Sequence, residues 1–234
     1  MGEKVISEHT VEIRYKPNAK ILDYRGTWAE AISKHMGLSD WGIIENRIDI
    51  FSKEKNMHGF VGFRNAGFVT LDAPTSNYFP DQALKLFKFL FGLDGFGDPI
   101  GVERIGVRYK FCTSFSGKFE ELCNKYATKF LSITDKGKAV LGESVKLIDI
   151  GGPLNFVDGL GNFNTMSGPM AKKQMELFFK KHEDYPDIGL YFDIDYWRKP
   201  EKDMSGKDVT SVLKSFAEAA WSRHESIRNL ILGE

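Results

Sequence analysis

The sequence predicts an α+β protein with a ferredoxin-like N-terminal half. Three observations lead there. Alternating strands and helical stretches follow one another in the order strand, helix, strand, hairpin, helix, strand over the first half, which matches the split β-α-β unit. The chain has 234 residues, 42% apolar and 27% charged, enough to bury a sizeable core without staples. Only two cysteines, Cys112 and Cys123, are present, too few for a disulfide scaffold.

The elements follow in order. Residues 10–16, TVEIRYK, put Val11, Ile13 and Tyr15 on one face and Glu12, Arg14 and Lys16 on the other, the pattern of a half-buried strand. Pro17-Asn18 breaks it. Residues 24–36 set Trp28, Ile32, His35 and Met36 at helical spacing, and Gly37 is a natural stop. Residues 42–51 alternate again, with Ile44, Ile48 and Ile50 against Glu45, Arg47 and Asp49, and predict one strand. Residues 60–71 hold two apolar pieces around Asn65-Ala66-Gly67, a hairpin. Residues 77–92 form a helix with Pro80 near its first turn and a stripe of Leu84, Phe87, Leu90 and Phe91. After a Gly-rich turn, residues 103–111 set Ile105, Val107, Tyr109 and Phe111 against Arg104, Arg108 and Lys110.

In the second half, residues 118–131 read as a helix through Phe119, Leu122, Cys123, Tyr126, Ala127 and Phe130. Residues 145–150 read as a strand, and 154–157 with 161–166 as a hairpin around Asp158-Gly159. Residues 169–181 are a short helix. Residues 188–197 alternate Ile188, Leu190, Phe192, Ile194 and Tyr196 against Tyr191, Asp193, Asp195 and Trp197. Residues 205–232 close the chain as a long helix, with Ser205 and Asp208 as a capping box and Val209, Val212, Phe216, Ala220, Ile227 and Ile231 as its stripe. No long linker separates the halves. The expected organisation is a ferredoxin-like half, 1–116, packed tightly against a second mixed α/β half, 117–234, with the long C-terminal helix.

The strand Arg104-Ile105-Gly106-Val107-Arg108-Tyr109, the later strand Tyr191-Phe192-Asp193-Ile194-Asp195 and the long final helix together resemble a sporadically distributed family of uncharacterised prokaryotic proteins. Its members carry a central Arg-Ile-Gly-Leu-Arg-Tyr-type strand and a late Asp-Ile-Asp strand. Here Val107 replaces the usual Leu, and the Asn that often follows the Tyr is missing. The resemblance implies no activity. Its patchy distribution fits defence or toxin–antitoxin gene neighbourhoods.

Composition excludes several functions. Lys+Arg and Asp+Glu are 32 each, so no excess cation drives strong nucleic-acid binding by counterion release. No apolar run approaches the ~18 residues of a membrane span. The first ten residues lack a signal-peptide core, and Ile6 stands where myristoylation wants Ser or Thr. A cytoplasmic protein is expected. His9, His35, His58, His182 and His224 show no metal-ligand spacing, and no GxSxG elbow or P-loop exists, so no metal or cofactor is expected. The Gly-rich turns join helix to strand or strand to strand, the wrong order for a phosphate cradle.

The charged strand faces are the candidate site: Arg14, Arg104, Arg108, Asp193 and Asp195. One reading is a salt-bridge layer between the halves, with Arg104 or Arg108 on Asp193 or Asp195 and Arg108–Asp195 the favoured pair. The other is an Arg/Asp-lined cavity for a phosphate-containing or nucleotide ligand. The Glu12-x-Arg14-x-Lys16 strand also resembles the Glu-x-Glu-x-Lys strand of triphosphate-tunnel metalloenzymes, but Arg14 stands where a metal-binding Glu belongs. No residue set establishes a catalytic activity. The sequence therefore points first to a non-catalytic interaction subunit or binding module whose partner is another protein.

Overall fold

A computed structural model describes residues 4–52, 54, 56–97, 101–142, 146–180 and 184–233, without the side chains of residues 138 and 139. The chain runs through β1 (Val5–Tyr15), α1 (Lys20–Met36), β2 (Asp40–Ile44), β3 (Arg47–Ser52), β4 (Met57–Gly62), β5 (Asn65–Leu71), α2 (Tyr78–Phe91) and β6 (Val102–Ser114). It continues through α3 (Phe119–Lys125), a π-helical turn (Tyr126–Phe130), α4 (Asp135–Ala139), β7 (Gly152–Val157), β8 (Asn162–Ala171), α5 (Lys172–Phe178), β9 (Ile188–Arg198) and α6 (Gly206–Leu232). The strands form one sheet in the order β2-β3-β4-β5-β1-β6-β9-β8-β7, with every paired neighbour antiparallel.

Alternation decides which face is covered. Val11, Ile13, Ile105 and Val107 all lie at 0–1% exposure and share one buried face. Trp28 and Ile32 of α1, Leu86, Phe87 and Leu90 of α2, and Phe216 of α6 join the same core. Full burial of each large apolar side chain contributes about 1.5–3 kcal/mol. Gly37 ends α1 in the left-handed region at φ 64°, where its N–H reaches Lys34 O and Ser33 O. Ser205 Oγ accepts from Asp208 N at 3.2 Å, while Asp208 Oδ2 accepts from Ser205 N at 3.1 Å, so the expected capping box opens α6.

The halves are joined edge to edge. β6 pairs with β9 from Ile105↔Arg198 to Ser114↔Gly189. The charged face is therefore not sandwiched between two sheets, as the salt-bridge-layer reading expected. It lies on the side of a single sheet away from α1, α2 and α6.

Four elements differ from expectation. The strand read at 42–51 is the β2–β3 hairpin, turning at Glu45-Asn46 with Glu45 at φ 45°. Ile44 pairs with Arg47 across that turn and leaves the Ile48 face, which accounts for its 62% exposure. The next hairpin turns at Phe63-Arg64 rather than at residues 65–67, and Tyr15 OH pins it by donating to Gly62 O and Asn65 O at 2.7 and 3.0 Å. Of the strand read at 145–150, Val145 lies outside the described residues and 146–150 has no regular structure. Both sides of β8 are already taken by β7 and β9, so no edge receives this segment there. Pro169–Ala171, read as helix, extends β8, with Pro169 opposite Leu190; Lys181 and His182 lie outside the described residues.

Candidate functional site

All five predicted site residues project from the face of the sheet opposite α1, α2 and α6. The face grades from dry to wet. At one end α5, Phe179 and Tyr185 cover it, packing Met175, Phe179 and Tyr185 on Ile6, Cys112 and Tyr191. Beside that cover Glu8 is only 4% exposed. Its carboxylate accepts from Lys110 Nζ and from Lys180 N, both at 2.9 Å. Lys110 Nζ also donates to Phe178 O at 2.8 Å, so the part-buried ammonium has two oxygen partners.

Farther from the cover stand the predicted residues. Arg108 Nε donates to Asp193 Oδ1 at 2.8 Å, and its Nη2 donates to Asp193 Oδ2, forming a fork. That bond and burial act in opposite directions on Arg108, and the bond wins, holding its pKa above the usual arginine value. Arg104 Nη2 lies 3.7 Å from Asp195 Oδ2, and its guanidinium sits 5.5 Å from the Trp197 ring centroid. Burial raises the Asp195 pKa above the ordinary carboxylate value, against the pull of Arg104 and Arg108, with Asp193 and Glu12 adding to the rise. Arg14 Nε donates to Glu12 Oε1 at 2.9 Å, and that bond raises the Arg14 pKa.

The expected Arg108–Asp195 pair is not formed. The two residues are direct cross-strand partners, yet the long Arg side chains lean diagonally: Arg108 takes Asp193 and Arg104 takes Asp195. Nor is the layer dry, since the Arg108 and Arg14 side chains are 48% and 55% exposed. Each of the three arginines has a carboxylate partner. Five cavities of about 190 to 810 Å³ among the described residues are lined by other residues. No triphosphate tunnel is formed by these strands, which lie in one open sheet.

Sequence reasoning missed one ionic group on this face, and it placed Arg47 and Asp49 there without pairing them. Glu8 precedes the stretch whose alternation was read as strand, so the Glu8–Lys110 pair was not visible. Asp49 holds both Arg47 and His58, with His58 Nε2 at 2.7 Å. Arg47 lies over Phe60, 4.7 Å from its centroid. Phe60 in turn covers Gly67, where a Cβ would stand 2.4 Å from Phe60 Cζ and 2.5 Å from Val11 O. Gly67 is needed for that close approach.

His9, His35, His224 and Cys112 sit in packing environments. His9 is fully buried, 4.1 Å from the Tyr109 ring, and His224 stacks on Phe111 at 3.6 Å. Burial lowers both pKa values to about 3, with His224 adding to the His9 shift and Arg228 to the His224 shift. His35 stacks on Phe89 at 4.1 Å. Burial pushes Cys112 up to about 12, which keeps it a thiol rather than a nucleophilic thiolate. Among the described residues no group of three His, Cys, Asp or Glu side chains is placed to hold a metal, and no helix is long and apolar enough to cross a membrane.

The two sheet edges carry a different feature. β2 is an outer strand whose Trp41, Ile43 and Ile44 are 41%, 39% and 62% exposed. Trp41 and Ile43 pair with the core residues Ile50 and Ile48, so they carry the apolar core face out to the rim. β2 itself, DWGII, has no Lys or Pro of the kind that blunts an edge. β7, the opposite edge, exposes Phe156 and Val157 and contains Pro153. No protein-family model and no curated protein matches the chain.

Proposed function

We propose that this protein is a non-catalytic interaction module of the prokaryotic cytoplasm that docks another protein along the edge strand β2. The observation that carries the reading is the apolar, unblunted rim of β2. Alternate residues of an outer strand aim their N–H and C=O groups away from the sheet, and an added strand satisfies them. Trp41 and Ile43 would give that strand an apolar surface continuous with Ile48 and Ile50. The occupant is an extended apolar segment of a partner protein.

We read the first half as ferredoxin-like. The strand order β4-β5-β1-β6, with α1 and α2 in the core on one face, supports this reading, with the β2–β3 hairpin as an insertion before β4. On that scaffold β2 is an added edge. The resemblance of the Arg104–Tyr109 and Tyr191–Asp195 strands to the sporadically distributed prokaryotic family supports a defence or toxin–antitoxin setting. Mutual pairing of Arg14, Arg104 and Arg108 with carboxylates favours a structural role for the charged face over the phosphate- or nucleotide-binding alternative.

Affinity purification from the native cell tests the proposal. Wild type is expected to bring down a stoichiometric companion protein, and Ile43→Lys to lose it at unchanged melting temperature. Arg14→Ala is expected to keep it. A companion retained equally by Ile43→Lys, or a wild type that comes down alone, overturns docking at β2.

A further inference from the structure

We infer that the cavity between the second half of α6 and strands β8 and β9 is a binding site for a small amphipathic carboxylate with an aromatic or acyl body. The cavity holds about 600 Å³, within the range of small-molecule sites. Its floor is the helix-side face of the sheet, Phe163, Thr165 and Ile194. Its roof is α6, which brings Ala219, Arg223 and Ile227, and Phe130 of the π-helical turn closes one side. π-helical turns are rare and are frequent at functional sites.

Three features define the ligand. First, two wall rings are in register: Phe156 stacks on Phe163 at 4.9 Å, and Phe163 is backed by Tyr196, stacked on it at 4.9 Å. They suit a flat or chain-like apolar body. Second, Thr165 is only 5% exposed, yet its hydroxyl has no hydrogen-bond partner among the described residues. A buried hydroxyl without a partner is unfavourable, and a polar group of a ligand on this floor would supply the missing bond. Third, Arg223 lies over Phe163 at 4.4 Å from the centroid and is held there from one side. Its Nε donates to Tyr196 OH and its Nη2 to Asp158 Oδ2 at 2.6 Å. Nη1 has no protein partner among the described residues. A guanidinium oriented in this way presents two parallel N–H donors, the geometry a carboxylate accepts. Asp158 is held ionised: burial works against it, but the N–H groups of Leu160 and Gly161, Tyr196 OH and Arg223 lower its pKa. The orienting pair therefore persists at neutral pH.

Isothermal titration of the full chain tests this with three probes: 1-naphthoate, decanoate and the neutral 1-naphthalenemethanol. Saturable binding of at least one carboxylate is expected, and whichever of the two binds tighter identifies the aromatic or the acyl body. Arg223→Gln is expected to weaken carboxylate binding by about tenfold while changing the neutral alcohol by less than about twofold. Ser226→Trp, at an exposed helix position lining only this cavity, is expected to abolish binding of all probes and keep the wild-type melting curve. If Arg223→Gln fails to fold, Ser226→Trp alone decides. No saturable binding to wild type at millimolar probe, unchanged binding to Ser226→Trp, or equal loss of acid and alcohol in Arg223→Gln overturns the assignment.

Discussion

Replacing Glu8 by alanine is expected to cost about 3 kcal/mol, because it takes the carboxylate from a largely covered ammonium, 13% exposed. Lys110 would keep only Phe178 O, and the Lys180 N–H would lose its acceptor. For a chain of this length that corresponds to a fall of roughly 10 °C in melting temperature. Glu8→Gln keeps an acceptor and should fall less. Asp195→Ala should behave differently. Asp195 lies beside Asp193 and Glu12, burial already disfavours its charge, and Arg104 keeps the Trp197 ring when it goes. Its loss is expected to cost about 1 kcal/mol or less, because the half-buried Asp195 lies 3.7 Å from Arg104 and its charge is already disfavoured. Thermal melts of the three variants check this. An Asp195→Ala melt lower than that of Glu8→Ala would contradict the picture of a face that is dry at Glu8 and wet at Arg108.

Acid should weaken the fold before the carboxylates titrate. His9 and His224 are held neutral with pKa values lowered to about 3, chiefly by burial. An unfolded chain returns them to about 6.5. Between those values the unfolded state binds protons that the folded state refuses, so stability is full above about pH 6.5 and falls as pH drops. One unit is worth about 1.4 kcal/mol per group, so the pair should cost roughly 4 kcal/mol by pH 5. Urea midpoints at pH 7 and pH 5 measure it. His9→Phe should remove about half of the difference, since a ring of similar shape replaces one that must stay uncharged. A midpoint unchanged between pH 7 and pH 5 would contradict neutral burial of both rings.

Much of this architecture was legible because it rests on periodicity. Val11, Ile13 and Tyr15 on β1 and the alternation of Tyr191 to Trp197 on β9 each separated two faces, but the cover of α5 buries Tyr191 and Asp193 on the second face of β9. Alternation was blind where two strands meet at a two-residue turn. Ile44, Ile48 and Ile50 keep one phase across Glu45-Asn46, with only Asn46 interrupting it, although the chain reverses and Ile44 changes face. Asn46 was the available turn signal. The charged set was found correctly as residues on one face, but sequence gives cross-strand partners no better than their register. A step of one diagonal separated Arg108–Asp195 from the observed Arg108–Asp193. The Thr165 cavity left no mark in the sequence, because its walls come from β7, β8, β9, α6 and the π-helical turn, which only the fold assembles.

Hydrogen–deuterium exchange of the β2 amides tests docking at this edge most directly. In the isolated chain, outward amides such as those of Trp41 and Ile43 are expected to exchange rapidly, because a sheet edge offers them no acceptor. In the complex with its companion protein they are expected to become strongly protected, with the amides around Arg104 and Arg108 unchanged. Protection appearing on β6 and β9 while β2 still exchanges freely would contradict the account and place the partner on the charged face instead.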